Sequence, residues 1–149
     1  MAKYLHNIPI DEEKISERIA DIKEALGKMA EFKQLKPADL QKGSNNFALV
    51  SYWLRIALEA VLTIGTHILS RLPTNGKEKD YTQVLLSLGE YEVIPKDFAQ
   101  KIKGMASYRN RLVHGYWKVT PEELLKVLRE DLGDFEEFIS YTNKFLEED

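Results

Sequence analysis

Apolar residues recur every three or four positions along most of the chain, and this helical spacing is the feature that most limits its possible folds. The first such run follows Asp11, a good N-cap residue, and extends to about Gln34. Its apolar stripe consists of Ile15, Ile19, Ile22, Leu26, Met29 and Phe32. No segment shows the alternation of apolar and polar residues that is typical of a half-buried strand. The sequence therefore predicts an all-α protein.

Four further helices are predicted, each delimited by capping or helix-breaking residues. The last of them is announced by Thr120, which is followed by a proline at the first helical position and by Glu123, as in a capping box. The expected bounds are about 44–72, 80–88, 95–114 and 120 to near the C-terminus. Short connectors between long helices favour an antiparallel up-down bundle of four to five helices, within one domain spanning residues 1–149.

The composition excludes several classes of function. The chain has no cysteine, which excludes thiol nucleophiles and cysteine zinc sites and is compatible with a reducing cytosol. Its three histidines are scattered, His6 in the N-terminal tail, His67 on the second helix and His114 near a helix end. They lack paired carboxylates at ligand spacing, so no metal site is expected, and the absence of a phosphate-binding glycine loop implies no bound cofactor. Because no leader segment and no long uninterrupted apolar run is present, we expect a cytoplasmic protein without a membrane span.

The net charge of −3 conceals a basic segment at residues 95–118. This segment carries six cations and the single acid Asp97, which leaves −8 on the rest of the chain. Clustered cations are the usual means of binding a phosphate backbone, although a run of lysines is often only a solvated helix face. The cations are Lys96, Lys101, Lys103, Arg109, Arg111 and Lys118. Of these, we take Lys101, Lys103, Arg111 and Lys118 as candidate RNA contacts.

The richest polar cluster is the stretch Tyr-Arg-Asn-Arg-Leu-Val-His-Gly-Tyr-Trp-Lys-Val at 108–119. The imidazole of His114 can exchange a proton near neutral pH, and the guanidinium of Arg109 matches the oxygens of a phosphate. Positions five apart on an unbroken helix point ~140° away from each other, so one chain is insufficient. A two-fold dimer would supply two imidazoles and two guanidiniums. The alternative is that both residues only cap the helix and balance its dipole.

The pattern resembles a known family motif. Arg109-Asn110-x-x-x-His114 is similar to the HEPN ribonuclease motif, and the further Tyr116 gives the Arg-x4-His-x-Tyr signature of the HepT toxins, partners of MNT nucleotidyltransferases. Residues 54–69 and 80–119 resemble that family in content and order, whereas the first and last helices match only in pattern.

This resemblance implies a homodimeric, metal-independent endoribonuclease toxin of a type VII HEPN/MNT toxin-antitoxin module, which cleaves mRNA or tRNA. It also implies that Arg109 and His114 are catalytic, that Asn110 supports them, and that the nucleotidyltransferase inhibits the toxin by AMPylation of Tyr116. Added phosphates beside the cations would repel the RNA backbone.

Other residues admit a functional and a structural interpretation. Arg55 and Glu59 lie one turn apart on the second helix, and an ion pair on its outer edge is the favoured interpretation. Trp117 and Tyr108 could stack on unpaired bases, but packing against the bundle is favoured for Trp117. Trp53 and His67 are most simply core or interface residues.

Two functions other than a nuclease stay open at this point. The chain could be a non-catalytic subunit that presents nucleotide or substrate to a nucleotidyltransferase. It could also be a helical interaction module in which the motif is only structural.

Overall fold

A computed structural model describes residues 9–74, 78 and 80–148, and it confirms the all-α prediction. Seven α-helices are α1 (Glu12–Ala30), α2 (Asn45–Ser70), α3 (Tyr81–Glu90), α4 (Lys96–Ile102), α5 (Gly104–His114), α6 (Pro121–Lys126) and α7 (Leu132–Glu147). Two 3₁₀ turns span Pro37–Leu40 and Tyr116–Lys118, and a π-helical segment spans Val127–Asp131. No β-strand occurs in the described ranges.

Four of the five predicted helix starts are confirmed by side-chain caps, whereas Pro95 precedes α4 without one. The Asp11 carboxylate accepts a hydrogen bond from the backbone of Lys14 at 3.1 Å, and the corresponding caps of α2, α3 and α6 are Ser44, Asp80 and Thr120. The first helix ends at Ala30, four residues before the predicted end. Residues 31–34 form turns, in which the backbone N–H groups of residues 31–33 bond to the third residue back.

The fourth and fifth predicted helices each contain an irregularity. Lys103 separates α4 from α5, although its backbone stays in the right-handed helical region. The five-residue π-helical segment separates α6 from α7 and locally widens the helix. The five predicted segments therefore correspond to seven α-helices.

The central element is α2, which packs against α1, α3 and α5. Fourteen of its residues are buried, from Phe47 to Leu69. By length and composition alone α2 is also long and apolar enough to cross a membrane, but 56% of its most apolar window is buried inside the protein. The helix is therefore accounted for as the core of the bundle.

His67 connects the ends of α1 and α2. Its side chain is buried, and Nε2 accepts a hydrogen bond from the backbone N–H of Asp11 at 3.1 Å. Burial, aided by the positive charges of Arg71 and Lys14, lowers the pKa of His67, which the nearby Asp11 carboxylate partly offsets. The structure therefore agrees with its interpretation as a core histidine, whereas His6 lies outside the described residues.

Candidate functional site

Arg109 lies in the middle of α5, and its guanidinium contacts residues of both α2 and α3. Nη2 donates a hydrogen bond to Glu59 Oε2 at 3.2 Å, and Nη1 donates one to Asn110 Oδ1 at 3.2 Å. The guanidinium carbon lies 5.5 Å from the centroid of the Tyr81 ring. Only 20% of the Arg109 side chain is exposed, and Nε is buried with no hydrogen-bond partner in the described part of the chain. The guanidinium is thus held in one position with some of its donors unused.

Glu59 was not expected in this site. Its ion pair with Arg55 is present, with 3.7 Å between Arg55 Nη1 and Glu59 Oε1, but the second carboxylate oxygen binds Arg109. The pair therefore faces α5 and does not lie on an isolated outer edge. Glu59 is the only acidic residue of α2, a helix that is otherwise mostly apolar, and this is the sequence signal that could have identified it.

His114 is the last residue of α5 and is exposed to solvent. Because α5 is a regular helix up to this point, His114 points ~140° away from Arg109. No hydrogen bond or ion pair joins its ring to the described residues. The structure thus brings Arg109 and Asn110 together but leaves His114 on a different side of the helix within one chain.

Arg111 connects α5 to the elements that follow it. Nη2 donates to Glu123 Oε1 at 2.9 Å and to the backbone oxygen of Lys118 at 3.0 Å, and the hydrogen bond to Glu123 raises the pKa of Arg111. These contacts give Arg111 a structural role in holding the turn after α5. Its contact with RNA stays a prediction.

The lysines predicted to contact RNA differ in their surroundings. Lys101 Nζ lies 3.1 Å from Asp134 and 3.7 Å from Glu137, and the hydrogen bond to Asp134 raises the pKa of Lys101. Lys103 donates to the side chain of Gln100 at 3.0 Å, and Lys118 is exposed. Lys101 is therefore paired with two acidic residues of α7, and their negative charge weakens its attraction for a phosphate.

Tyr108 points to a different side of α5 from Arg109, since consecutive helical residues lie ~100° apart. It lines a groove of about 450 Å³ between α2, α5 and the π-helical segment, where the Arg111 guanidinium lies 5.5 Å from its ring. Its hydroxyl is buried with no hydrogen-bond partner in the described ranges, and burial raises its pKa. Tyr108 thus does not share a surface with Arg109.

Tyr116 and Trp117 lie in the 3₁₀ turn after α5. The Tyr116 ring packs edge-on against Phe47, with 5.3 Å between centroids, and Tyr116 is 38% exposed. The expectation that Trp117 packs against the bundle is wrong, since Trp117 is 68% exposed. The reason is the turn geometry, which directs Tyr116 inward and its neighbour outward. Trp53 is partly buried and contacts the Tyr52 ring, as expected of a core or interface residue.

Comparison with known proteins identifies the family. The sequence model described as Ribonuclease HepT-like matches residues 22–142. The chain belongs to this family. It is therefore a HepT-like ribonuclease, and membership assigns it endoribonuclease activity. A curated relative, the tRNA nuclease HepT of Aphanizomenon flos-aquae (strain 2012/KM1/D3), is 24% identical over 132 residues, which is 89% of each chain.

Solved structures share the fold of this HepT-like ribonuclease. A toxin-antitoxin complex with AMP-PNP matches with a TM-score of 0.78 and 21% identity, over 89% of this chain and 98% of the other. The tri-AMPylated Shewanella oneidensis HEPN toxin in complex with MNT antitoxin matches with a TM-score of 0.74 and 21% identity, over 88% and 97%. The cytosolic protein YutE of Bacillus subtilis, of unknown function, matches with a TM-score of 0.77 and 16% identity, over 97% and 94%. The fold is thus that of HEPN proteins.

Proposed function

We propose that this HepT-like ribonuclease is the toxin of a HEPN/MNT toxin-antitoxin module and cleaves mRNA or tRNA, without a metal, at a site shared by two subunits. The observation that carries the proposal is the placement of Arg109 and His114 on one regular helix. The helix holds Arg109 in a fixed position against Glu59 and presents His114 to solvent in another direction. A second copy is needed to bring the two side chains to one phosphate.

The chemistry requires only these groups. One His114 imidazole takes the proton from a ribose 2′-hydroxyl, and the oxygen attacks the adjacent phosphorus. The imidazolium of the other subunit protonates the departing 5′-oxygen, and the Arg109 guanidiniums stabilise the negative charge that builds on the phosphate. The products are a 2′,3′-cyclic phosphate and a 5′-hydroxyl end. Asn110 supports the site by accepting a hydrogen bond from Arg109.

The surface of α2 supports a homodimer. Leu49 and Tyr52 are 46% and 47% exposed, and they share one face of α2 with Ile56 and Glu59. This apolar stripe leads directly to the carboxylate that binds Arg109. A two-fold axis along the stripe would bring two copies of α5 close together.

Tyr116 is the residue we propose as the target of AMPylation. Its ring is partly exposed in the turn that follows His114, so a nucleotidyltransferase can reach it without unfolding the bundle. Each transferred AMP adds a phosphate diester next to the cations of the site, which repels the RNA backbone. The AMPylated Shewanella toxin, which is complexed with an MNT antitoxin, supports a partner of the same kind. We also infer that the protein acts in the cytoplasm.

Incubation with tRNA and with mRNA in EDTA tests the proposal. The wild-type dimer is expected to cleave tRNA, mRNA or both, and to leave 2′,3′-cyclic phosphate ends. Arg109→Ala and His114→Ala are each expected to lower the rate by about 10²- to 10⁴-fold. Arg18→Ala, a change at an arginine on the surface of α1, is the matched control. Wild-type rates in both site variants, or loss of activity in EDTA, would overturn the proposal. Tight binding to the nucleotidyltransferase without any cleavage would instead indicate a non-catalytic subunit.

A further inference from the structure

The indole of Trp117 is the most exposed large apolar side chain in the described part of the protein, at 68%. It lies three residues after His114, in the 3₁₀ turn between α5 and α6. Exposing so large an aromatic ring to water is costly, and such rings often mark a binding surface.

The turn that carries Trp117 is held from both sides. Before it, the Tyr116 ring packs against Phe47, and after it Val119 is fully buried. The backbone oxygen of Trp117 accepts a hydrogen bond from the Lys42 ammonium, and that of Lys118 accepts one from Arg111 at 3.0 Å. The exposure of the indole is therefore a property of an anchored turn.

The charge around the turn favours a polyanion. No acidic residue occurs at 98–121, the Lys42 ammonium bonds to the turn, and Lys118 is an exposed residue of it. Glu123 of α6, which contacts this region, is paired with Arg111 at 2.8 Å. An aromatic ring beside cations is the combination that binds single-stranded nucleic acid, in which a base stacks on the ring and a cation contacts the phosphate.

We propose that Trp117 is a base-stacking subsite for an unpaired nucleotide of the RNA substrate, with Lys118 and Lys42 contacting the backbone beside it. This inference rests on the proposed function, since it places the nucleotide near the phosphate that His114 acts on. A paired base is stacked on both faces inside a helix and cannot offer one to the indole. The subsite therefore makes the enzyme select single-stranded segments, such as loops, over duplex RNA.

Fluorescence of the indole measures this binding directly. The chain has two tryptophans, so Trp53→Phe leaves Trp117 as the only reporter, and His114→Ala added to it prevents cleavage during the titration. Single-stranded oligoadenosine is expected to quench the emission, and a duplex of the same length is expected to leave it unchanged. In the wild-type background, Trp117→Ala should raise the KM for a single-stranded substrate by about 5- to 150-fold, with a smaller change in kcat. Trp117→Phe, which keeps an aromatic face, should recover most of the loss.

The outcomes separate this inference from the proposed function. An unchanged KM in Trp117→Ala together with no quenching by RNA overturns the subsite, even where His114→Ala abolishes cleavage and the nuclease proposal stands. Equal quenching by the duplex, or quenching only by the nucleotidyltransferase partner, also overturns it. Absence of cleavage by the wild type counts against the proposed function, and the titration still reports whether Trp117 binds unpaired bases.

Discussion

The Arg109 guanidinium donates a hydrogen bond to the carboxylate of Glu59 at 3.2 Å, across a sequence separation of 50 residues. Glu59 is in turn held by Arg55 one helical turn away. The central helix of the core therefore fixes the position of a residue that belongs to the family motif on α5. We infer that Glu59 is a positioning residue for Arg109.

Removing this carboxylate should lower activity more than stability. Glu59→Ala removes the carboxylate that holds Arg109 and leaves the guanidinium only its contacts with Asn110 and Tyr81, and a misplaced group of this kind costs on the order of 10²-fold in rate. Glu59→Gln keeps an acceptor oxygen and should retain more activity. Separate kcat and KM values, with thermal melting to verify folding, check the prediction. Arg55→Ala, which removes only the second partner of Glu59, is the control. Equal cleavage rates in Glu59→Ala and the wild type would contradict the prediction.

One defective chain should disable the whole dimer if the site is shared. A mixed dimer of one wild-type chain and one His114→Ala chain keeps both guanidiniums but has a single imidazole, which cannot act as base and acid together. Co-expression with two different tags and sequential purification isolates the mixed dimer. Its cleavage rate should lie far below half of the wild-type rate. Half of the wild-type rate in a dimer of verified composition would indicate two independent sites and contradict a shared one.

Acid should destabilise the protein through His67. Its pKa is about 6.5 in the unfolded chain and is lowered in the folded protein. At a pH between these two pKa values, the unfolded chain therefore binds more protons than the folded protein. Stability from this group is complete above about pH 6.5 and is lost as the pH falls through the lowered pKa. In His67→Gln, which can accept the hydrogen bond from Asp11 without titrating, the melting temperature should depend less on pH between 7.5 and 5. The same change of melting temperature with pH in both proteins would contradict the prediction.

Two glycines should respond to alanine in opposite directions. A Cβ at Gly89 would lie 2.8 Å from the Ala99 Cβ and 3.3 Å from the Lys96 backbone, so α3 and α4 would have to separate. Gly89→Ala should therefore lower the free energy of unfolding by about 1–3 kcal/mol. Gly27 lies exposed within α1 with nothing within 4 Å of a Cβ, so Gly27→Ala should raise it by about 0.5–1 kcal/mol. Urea unfolding of the two variants measures both effects.

The sequence predicts features that depend on neighbouring residues. The caps at Asp11, Ser44, Asp80 and Thr120 are local, since each side chain bonds to a backbone N–H three positions later. The helical arrangement follows from the apolar spacing. The split of α6 from α7 by a π-helical segment was not predicted, because no Gly or Pro marks it between Val127 and Asp131.

Features that depend on tertiary contacts were missed. The pairing of Glu59 with Arg109 joins two helices, and periodicity cannot say which exposed edge of α2 meets α5. The exposure of Trp117 depends on how a three-residue turn is anchored by Lys42 and Arg111, which lie on other elements. In both cases the decisive contact comes from a distant part of the chain.

The regularity of α5 has a consequence for a cell that makes this protein. Because the helix directs Arg109 and His114 apart, the shared site proposed above cannot form within a single newly translated chain, and we expect damage to RNA to begin only after two chains meet. Onset would then depend on the square of the monomer concentration at low expression, which gives a neutralising partner time to act on single chains first.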